Sequence, residues 1–183
     1  LGYLSVSFGF GILAVRAGLS IPAAVAISVT NVTSAGQAAG VGVIAAGGSY
    51  LEMALTQLVI NLRYALMSIS LSQKMHKSVT LPDRFLIAFG NTDEIFAVAS
   101  AKSGEVGKKY MLGLILLPFF GWSGGTLLGA AAGNILPESL TSALGIAIYG
   151  MFLAIFIPAM RRSRPITVVV LVSVALSCAF AYL

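Results

Sequence analysis

Charged side chains are scarce in this chain, since Asp, Glu, Lys and Arg together make up 9% of its 183 residues. Soluble domains carry about 25%, so the composition excludes an ordinary water-soluble domain. Apolar residues account for 58% of the chain and the mean hydropathy is +0.97. These values predict an all-α integral membrane protein with about six or seven hydrophobic helices of roughly 20 residues each. We expect a single polytopic membrane domain over residues 1–183.

Cysteine and histidine are nearly absent, with one residue of each. The lone thiol of Cys178 excludes an internal disulfide, and a single histidine, His76, excludes a site built from several His and Cys ligands. The chain also lacks the Gly-x-Ser-x-Gly and His-Glu-x-x-His patterns of hydrolases. We therefore predict that the protein is not an enzyme and holds no cofactor or metal.

Basic residues outnumber acidic ones, eleven to six, and they cluster at the ends of apolar segments. Because membrane topology is set there, the net charge of +5 does not indicate nucleic-acid binding. If the short fourth segment, 84–101, re-enters without crossing, ten basic residues fall on one face, which the positive-inside rule makes cytoplasmic. They are Arg16, Lys74, Lys77, Arg84, Lys102, Lys108, Lys109, Arg161, Arg162 and Arg164. If the segment crosses, seven spans result and these residues split between the faces. We favour the re-entrant path.

Two apolar segments are interrupted by polar residues. The second segment runs from Pro22 to about Ala46 with a break near 31–37, and the fourth has a break near 90–94. Transporters commonly bind substrate at such breaks, where half-helix N-termini face a cavity. The candidate binding residues in the two breaks are Ser34, Gln37, Thr92, Asp93 and Glu94. The polar groups of the first break have an alternative role, which is to satisfy backbone groups that the interruption frees.

Arg63 lies at the centre of the third apolar segment, Leu51–Leu71, eleven positions from Glu52 and from Lys74. An arginine at the bilayer midplane costs roughly 2.5–3.5 kcal/mol even on lenient scales, so it needs a partner or a task. Three interpretations compete for the acids at 93 and 94. They form an ion pair with Arg63, contact a substrate ammonium group, or carry a coupled proton.

A glycine recurs at every fourth position of the fifth apolar segment, at Gly121, Gly125, Gly129 and Gly133. This spacing places all four on one helix face, where small residues allow close approach of a second helix. We expect tight packing within the chain, and the alternative is a face for a dimer or a partner subunit.

Taken in order, the polar clusters resemble the AzlC family of branched-chain amino acid exporters. The matching runs are Gly9-Phe10-Gly11, Ala17-Gly18-Leu19-Ser20, Ser34-Ala35-Gly36-Gln37, Asn61-Leu62-Arg63-Tyr64 and Thr92-Asp93-Glu94. The resemblance covers nearly the whole chain. Tyr64 stands where the family more commonly has His, and the family's residues ahead of the first span are absent. Since the chain starts at Leu1 without an initiator Met, we expect an upstream part to be missing.

The resemblance implies the large subunit of a two-component exporter of Val, Leu or Ile, which works with a small AzlD-like membrane subunit. It implies a multi-pass protein of the bacterial plasma (inner) membrane, driven by a proton or sodium gradient or by downhill export. We expect Arg63, Asn61 and the half-helix N-terminus near Gly36-Gln37 at the substrate carboxylate, with Tyr64 among the binding residues. Asp93 or Glu94 is expected at the ammonium group or at a coupled proton. Homo-oligomers stay open. The alternatives are a channel or facilitator for a small polar solute, and a non-transporting assembly subunit.

Single cysteines test the path of the fourth segment. With cysteine placed at Tyr50, Ser78, Glu105 or Ile135, the re-entrant path predicts that positions 78 and 105 react with a membrane-impermeant thiol reagent from the same face. Labelling of these two positions from opposite faces would show that the segment crosses.

Overall fold

The computed structural model describes residues 2–133, 150, 153, 157–158 and 160–182. The described helices are α1 (Gly2–Arg16), α2 (Ile21–Thr30), α3 (Ser34–Ala45), α4 (Tyr50–Ser72), α5 (Leu81–Phe89), α6 (Asp93–Ala101), α7 (Lys108–Ala132) and α8 (Arg164–Tyr182). No strand occurs in these ranges, so the described part is all-α as predicted. By length and composition α4 and α7 are able to cross a membrane, and the other apolar helices are shorter.

The chain divides into two compact units, Leu1–Thr141 and Ser142–Leu183. Helix α8 belongs to the second unit and matches the predicted last segment, 166–183. The predicted sixth segment, 140–159, falls almost entirely outside the described residues. The total of six or seven helices and the single membrane domain therefore stay predictions.

Each helix break is shorter than the sequence predicted and ends at a capping threonine. Residues 31–33 and 90–92 are non-helical, whereas Ser34 and Gln37, like Asp93 and Glu94, already lie in the first turn of a helix. The reason is that the Thr33 hydroxyl accepts a hydrogen bond from the Gly36 amide, and that of Thr92 from the Ile95 amide. A hydroxyl at the N-cap satisfies an otherwise unpaired amide, so the helix restarts directly after each threonine.

The long helices give the unit two ends. Helix α4 begins at the first end and finishes at the second end, where α7 begins, because Leu71 and Met111 share one apolar cluster. Helix α1 runs parallel to α7, with Ser7 beside Gly121 and Gly125 and with Gly11 beside Thr126. Arg16 therefore lies at the first end.

Helices α5 and α6 form a re-entrant pair, here named the second hairpin, with both of its outer ends at the second end of the unit. The loop after α4 pairs with the loop before α7, since the His76 amide donates to the Val106 carbonyl at 3.0 Å and the Val106 amide donates to the Lys74 carbonyl at 2.9 Å. At the start of α5, Asp83 in the first turn forms an ion pair with Lys108 at 2.6 Å. Together with the Thr80 hydroxyl, that ammonium group lowers the pKa of Asp83. The non-crossing path predicted for segment four agrees with this geometry.

Helices α2 and α3, the first hairpin, also fold back, from the first end. Ala24 of α2 and Val41 of α3 share an apolar cluster with Ala130 near the end of α7. Helix α3 lies antiparallel to α4, because Gly36 faces Asn61 whereas Gly40 faces Met53.

The sequence-based prediction of a crossing second segment is therefore wrong, and so is the placement of Arg16 on the same face as Lys74. The path of two half-helices across a three-residue break is decided by packing, which the charge pattern does not encode. With both hairpins re-entrant, Arg16 lies at the first end, and six basic residues lie at the second. These are Lys74, Lys77, Arg84, Lys102, Lys108 and Lys109.

The glycine stripe of α7 packs against α1, as predicted. A methyl group on Gly125 would overlap the backbone of Leu4 and the Ser7 hydroxyl, and one on Gly129 would overlap the backbone of Phe8. The Cβ of Tyr3 would lie 3.8 Å from a methyl group on Gly121. At Gly125 and Gly129 the two backbones approach so closely that only glycine fits between them.

This interface predicts a position-specific loss of stability. Gly125→Ala and Gly129→Ala each lower the free energy of unfolding by about 1–3 kcal/mol, because an added methyl group forces the two backbones apart. Gly124→Ala in the same helix is the control, since its added Cβ meets nothing within 4 Å. Thermal unfolding of the purified protein in detergent measures the difference. Equal melting temperatures for all three variants would contradict the packing.

Candidate functional site

One face of α4 carries a stripe of polar side chains, Gln57, Asn61, Tyr64 and Ser68, named here the polar stripe. Their spacing of four, three and four residues places them on a single helix face. The stripe faces both hairpins: Gln57 Nε2 donates to the Gly36 carbonyl at 2.8 Å, and Ser68 Oγ accepts from Asn91 Nδ2 at 3.4 Å. Helix α4 thereby connects the tips of the two hairpins, residues 31–33 and 90–92.

Hydrogen bonds run along the stripe in one direction. The Tyr64 hydroxyl donates to Thr33 Oγ1 at 3.3 Å, and Thr33 donates to Asn61 Oδ1 at 3.0 Å. Asn61 Nδ2 then donates to Gln57 Oε1 at 3.0 Å. Each of these side chains both accepts and donates, so the Thr33 hydroxyl at the first tip is satisfied away from water, as a membrane interior requires.

Arg63 donates the first hydrogen bond of this series. Its Nη1 forms an ion pair with Asp93 Oδ2 at 2.9 Å, and its Nη2 donates to the Tyr64 hydroxyl at 3.2 Å. The guanidinium carbon also lies 4.9 Å from the centre of the Tyr64 ring, in cation–π contact. The ion-pair interpretation of Arg63 is therefore confirmed. The side chains of Arg63 and Asp93 stay 38% and 28% exposed, so the pair is open to a competing ligand.

Glu94 has a different partner. The Tyr3 hydroxyl of α1 donates to Glu94 Oε2 at 2.7 Å and also hydrogen-bonds Thr92. The Tyr3 ring packs edge-to-face on Trp122 of α7 at 6.1 Å. The two neighbouring carboxylates thus face different helices, with Asp93 directed at α4 and Glu94 at α1.

A central cavity of about 190 Å³ lies between the two hairpin tips and the polar stripe. Drug-sized ligands occupy pockets of about 300–1,000 Å³, so this cavity suits a solute of only a few non-hydrogen atoms. Its lining residues are Thr30, Asn31, Val32, Thr33, Asn61, Tyr64, Ala88, Phe89 and Asn91. The N-termini of α3 and α6 start at the tips beside this cavity, and their partial positive charges favour an anionic group there.

The structure brings most of the sequence-predicted residues together. Asn61 and Tyr64 line the central cavity, and Arg63 and Asp93 are bound to one another beside Tyr64. Buried Gln37 lines a neighbouring cavity between α2, α3 and α4, and its Nε2 donates to the Asn31 carbonyl. Thr92 and Glu94 bond Tyr3, and Ser34 is half-buried in the first turn of α3 without lining either cavity in the described part.

Four participants were missed by the sequence analysis, namely Tyr3, Gln57, Ser68 and Asn91. Two of them had a readable signal, because Gln57 and Ser68 extend the polar spacing of Asn61 and Tyr64 by one step in each direction. Asn91 sits directly before the capping Thr92, where polar residues are common for local reasons. Tyr3 had no such signal.

Comparison with known proteins finds relatives over most of the chain. The model of the AzlC protein family matches residues 1–136. The inner membrane protein YgaZ of Escherichia coli (strain K12) is 29% identical over 175 residues, which cover 92% of this chain and 71% of YgaZ. An uncharacterized membrane protein of Archaeoglobus fulgidus is 34% identical over 163 residues, covering 88% of this chain and 71% of that protein. No solved structure matches.

The capping role of Thr33 generates a stability prediction. Thr33→Val removes the N-cap of α3, the acceptor of the Tyr64 hydroxyl and the donor to Asn61 Oδ1. It therefore lowers the free energy of unfolding by about 1–2 kcal/mol. Thr30→Val is the matched control, because the Thr30 hydroxyl bonds only carbonyls of its own helix. It changes the free energy of unfolding by no more than about 0.5 kcal/mol. Chemical unfolding of both variants compares them, and equal losses would remove Thr33 from the network.

Proposed function

The chain belongs to the AzlC family, and we propose that it is the large subunit of a secondary exporter of branched-chain amino acids such as Val, Leu and Ile. The family match and the apolar helices indicate a membrane protein of a transport family. The proposal of amino-acid export rests on the small polar cavity between the two re-entrant hairpin tips, with an arginine–aspartate pair beside it.

An amino acid needs a place for its carboxylate, and the central cavity supports one. Asn61 and Tyr64 present polar groups to the cavity, and the N-terminus of α3 starts at its edge. The Arg63 guanidinium already donates to Tyr64 from behind. A substrate carboxylate entering the cavity therefore meets donors of the kind that discontinuous transporter helices provide.

The ammonium group and the side chain of the substrate find complementary groups in the same place. When the substrate carboxylate takes Arg63, the carboxylate of Asp93 is released to accept from the substrate ammonium. Val32, Ala88 and Phe89 supply the apolar part of the cavity wall for a branched aliphatic side chain. Substrate binding thus replaces one ion pair by two, so that Arg63 and Asp93 both stay paired.

The strength of the Arg63–Asp93 pair suits such an exchange. Exposed ion pairs contribute about 0–1 kcal/mol, whereas breaking a fully buried pair costs about 3–5 kcal/mol. At 38% and 28% exposure the pair lies between these cases. It is strong enough to keep Arg63 neutralised in the empty protein and weak enough for a zwitterion to displace it.

Energy for export comes from an ion gradient or from the amino-acid gradient itself, with Asp93 as the site of a coupled proton. The six basic residues at the second end, against Arg16 at the first, favour a cytoplasmic second end in the bacterial inner membrane. A small AzlD-like membrane subunit is the expected partner, on the basis of the family resemblance.

Efflux of labelled valine from vesicles, with and without the small subunit, tests the proposal. We expect Arg63→Ala and Asp93→Asn each to reduce efflux by at least about tenfold, since each leaves a charge at membrane depth without its partner. Lys109→Ala and Glu105→Gln are the charge-matched controls at exposed positions, and they retain efflux.

Three outcomes would contradict parts of the proposal. Unchanged efflux in both site variants would remove the Arg63–Asp93 site. Valine flux that ignores every imposed ion gradient and does not saturate would indicate a channel or facilitator. Absence of flux from wild-type vesicles that contain both subunits would favour a non-transporting assembly subunit.

A further inference from the structure

The two hairpins are built alike, although they enter from opposite ends. Helix α2 begins with Ser20-Ile21-Pro22 and helix α5 begins with Thr80-Leu81-Pro82, sixty positions later. A threonine caps the second helix of each hairpin, and a tyrosine from a helix outside the hairpins bonds each of these threonines. Tyr64 of α4 donates to Thr33, and Tyr3 of α1 contacts Thr92. The two hairpins thus share one design in opposite orientations. Asn31 and Asn91 lie in their tips, at the same interval after Ser20 and Thr80.

Three cavities follow one another along α4. The first-end cavity, about 200 Å³, shares Thr30 and Asn31 with the central cavity. The second-end cavity, about 280 Å³, shares Ala88 and Asn91 with it. One tip therefore separates each pair of neighbouring cavities, with an asparagine at both junctions.

The polar stripe forms a wall of all three cavities. Gln57 lines the first-end cavity, Asn61 and Tyr64 line the central one, and Ser68 lines the second-end one. The opposite face of α4 is apolar, with Leu58 and Leu66 exposed. A helix with a polar stripe along its central turns and exposed apolar residues on another face is typical of the wall of a membrane pathway.

Asn91 holds an unused acceptor at its junction. The residue is 3% exposed, and its Nδ2 donates to Ser68. Its Oδ1 has no hydrogen-bond partner within the described part of the chain. A buried acceptor without a donor costs about 1–3 kcal/mol, so such a group in a native protein calls for a ligand or a water molecule that bonds it.

We propose that the three cavities are successive stages of one translocation path along the polar stripe, and that Asn91 Oδ1 accepts a hydrogen bond from the ammonium group of the passing substrate. The proposal rests on the transport function above and adds the route and a further substrate-contacting residue. In this structure the two tips lie on either side of the central cavity and close the path. Movement of one tip at a time connects that cavity to one end, which is alternating access with the hairpins as gates.

Cysteine labelling tests the path independently of substrate identity. In a Cys178→Ser background, we expect Gln57→Cys to react with a water-soluble thiol reagent applied at the first end, and Ser68→Cys with the reagent applied at the second end. Leu58→Cys and Leu66→Cys are the neighbouring controls on the apolar face, and we expect both to stay unreactive in the bilayer. Equal reactivity of the stripe and control positions, high or low, would overturn the path even if valine export is established. Two independent pairs guard against one variant that fails to fold.

Variants of Asn91 test its contact with the substrate. Asn91→Leu removes the acceptor at similar volume, so we expect valine efflux to fall by at least about tenfold. Asn91→Asp keeps an acceptor oxygen and restores most of the efflux. A purely structural role predicts instead that both variants follow their melting temperatures, and normal efflux with Asn91→Leu would overturn the assignment. If wild-type vesicles export no valine while the stripe cysteines still label, the transport proposal fails and the path stands.

Discussion

Two breaks in apolar helices bring polar groups to membrane depth, and their satisfaction is the constraint on which the rest of the unit depends. No water is available in the hydrocarbon core to bond freed backbone groups, so each break needs partners from neighbouring helices. Helix α4 supplies them through a stripe that bonds Thr33 and Gly36 at one tip and Asn91 at the other. Close packing of α1 on α7 through glycine brings Tyr3 to Thr92 and completes the second tip.

Arg63 fits this account as the one fixed positive charge of the network. Its ion pair with Asp93 connects α4 to the start of α6, and its bond to Tyr64 connects it to the first tip. A ligand that takes the guanidinium therefore acts on both hairpins at once. This is the kind of element that allostery and alternating access require, because ligand binding changes the balance between two arrangements of the same contacts. Under the proposed function, substrate binding is the role of this charge, which is costly at membrane depth.

The sequence predicted the described fold in part. Hydropathy located the segments, polar residues located both breaks, and the glycine spacing of α7 predicted its close packing. The path of each hairpin was harder, because a pair of half-helices has the same composition whether it crosses or returns. Charge distribution predicted the return of α5–α6. The return of α2–α3 depends instead on the apolar cluster that contains Ala24, Val41 and Ala130, and these residue types are not distinctive. The Arg63–Asp93 pair was among three interpretations, since one sequence does not reveal which acid a charge meets. The contact of Tyr3 with Thr92 could not be predicted, because it depends on how α1 packs in the fold.

The central claim is that substrate binds between the hairpin tips by displacing Asp93 from Arg63. A structure of the protein determined with bound valine tests this most directly. We expect valine in the central cavity, with its carboxylate within hydrogen-bond distance of Asn61, Tyr64 or Arg63. We also expect a distance from Arg63 Nη1 to Asp93 Oδ2 well beyond the 2.9 Å of the present structure. Valine bound elsewhere in the unit, with the ion pair intact, would contradict the account.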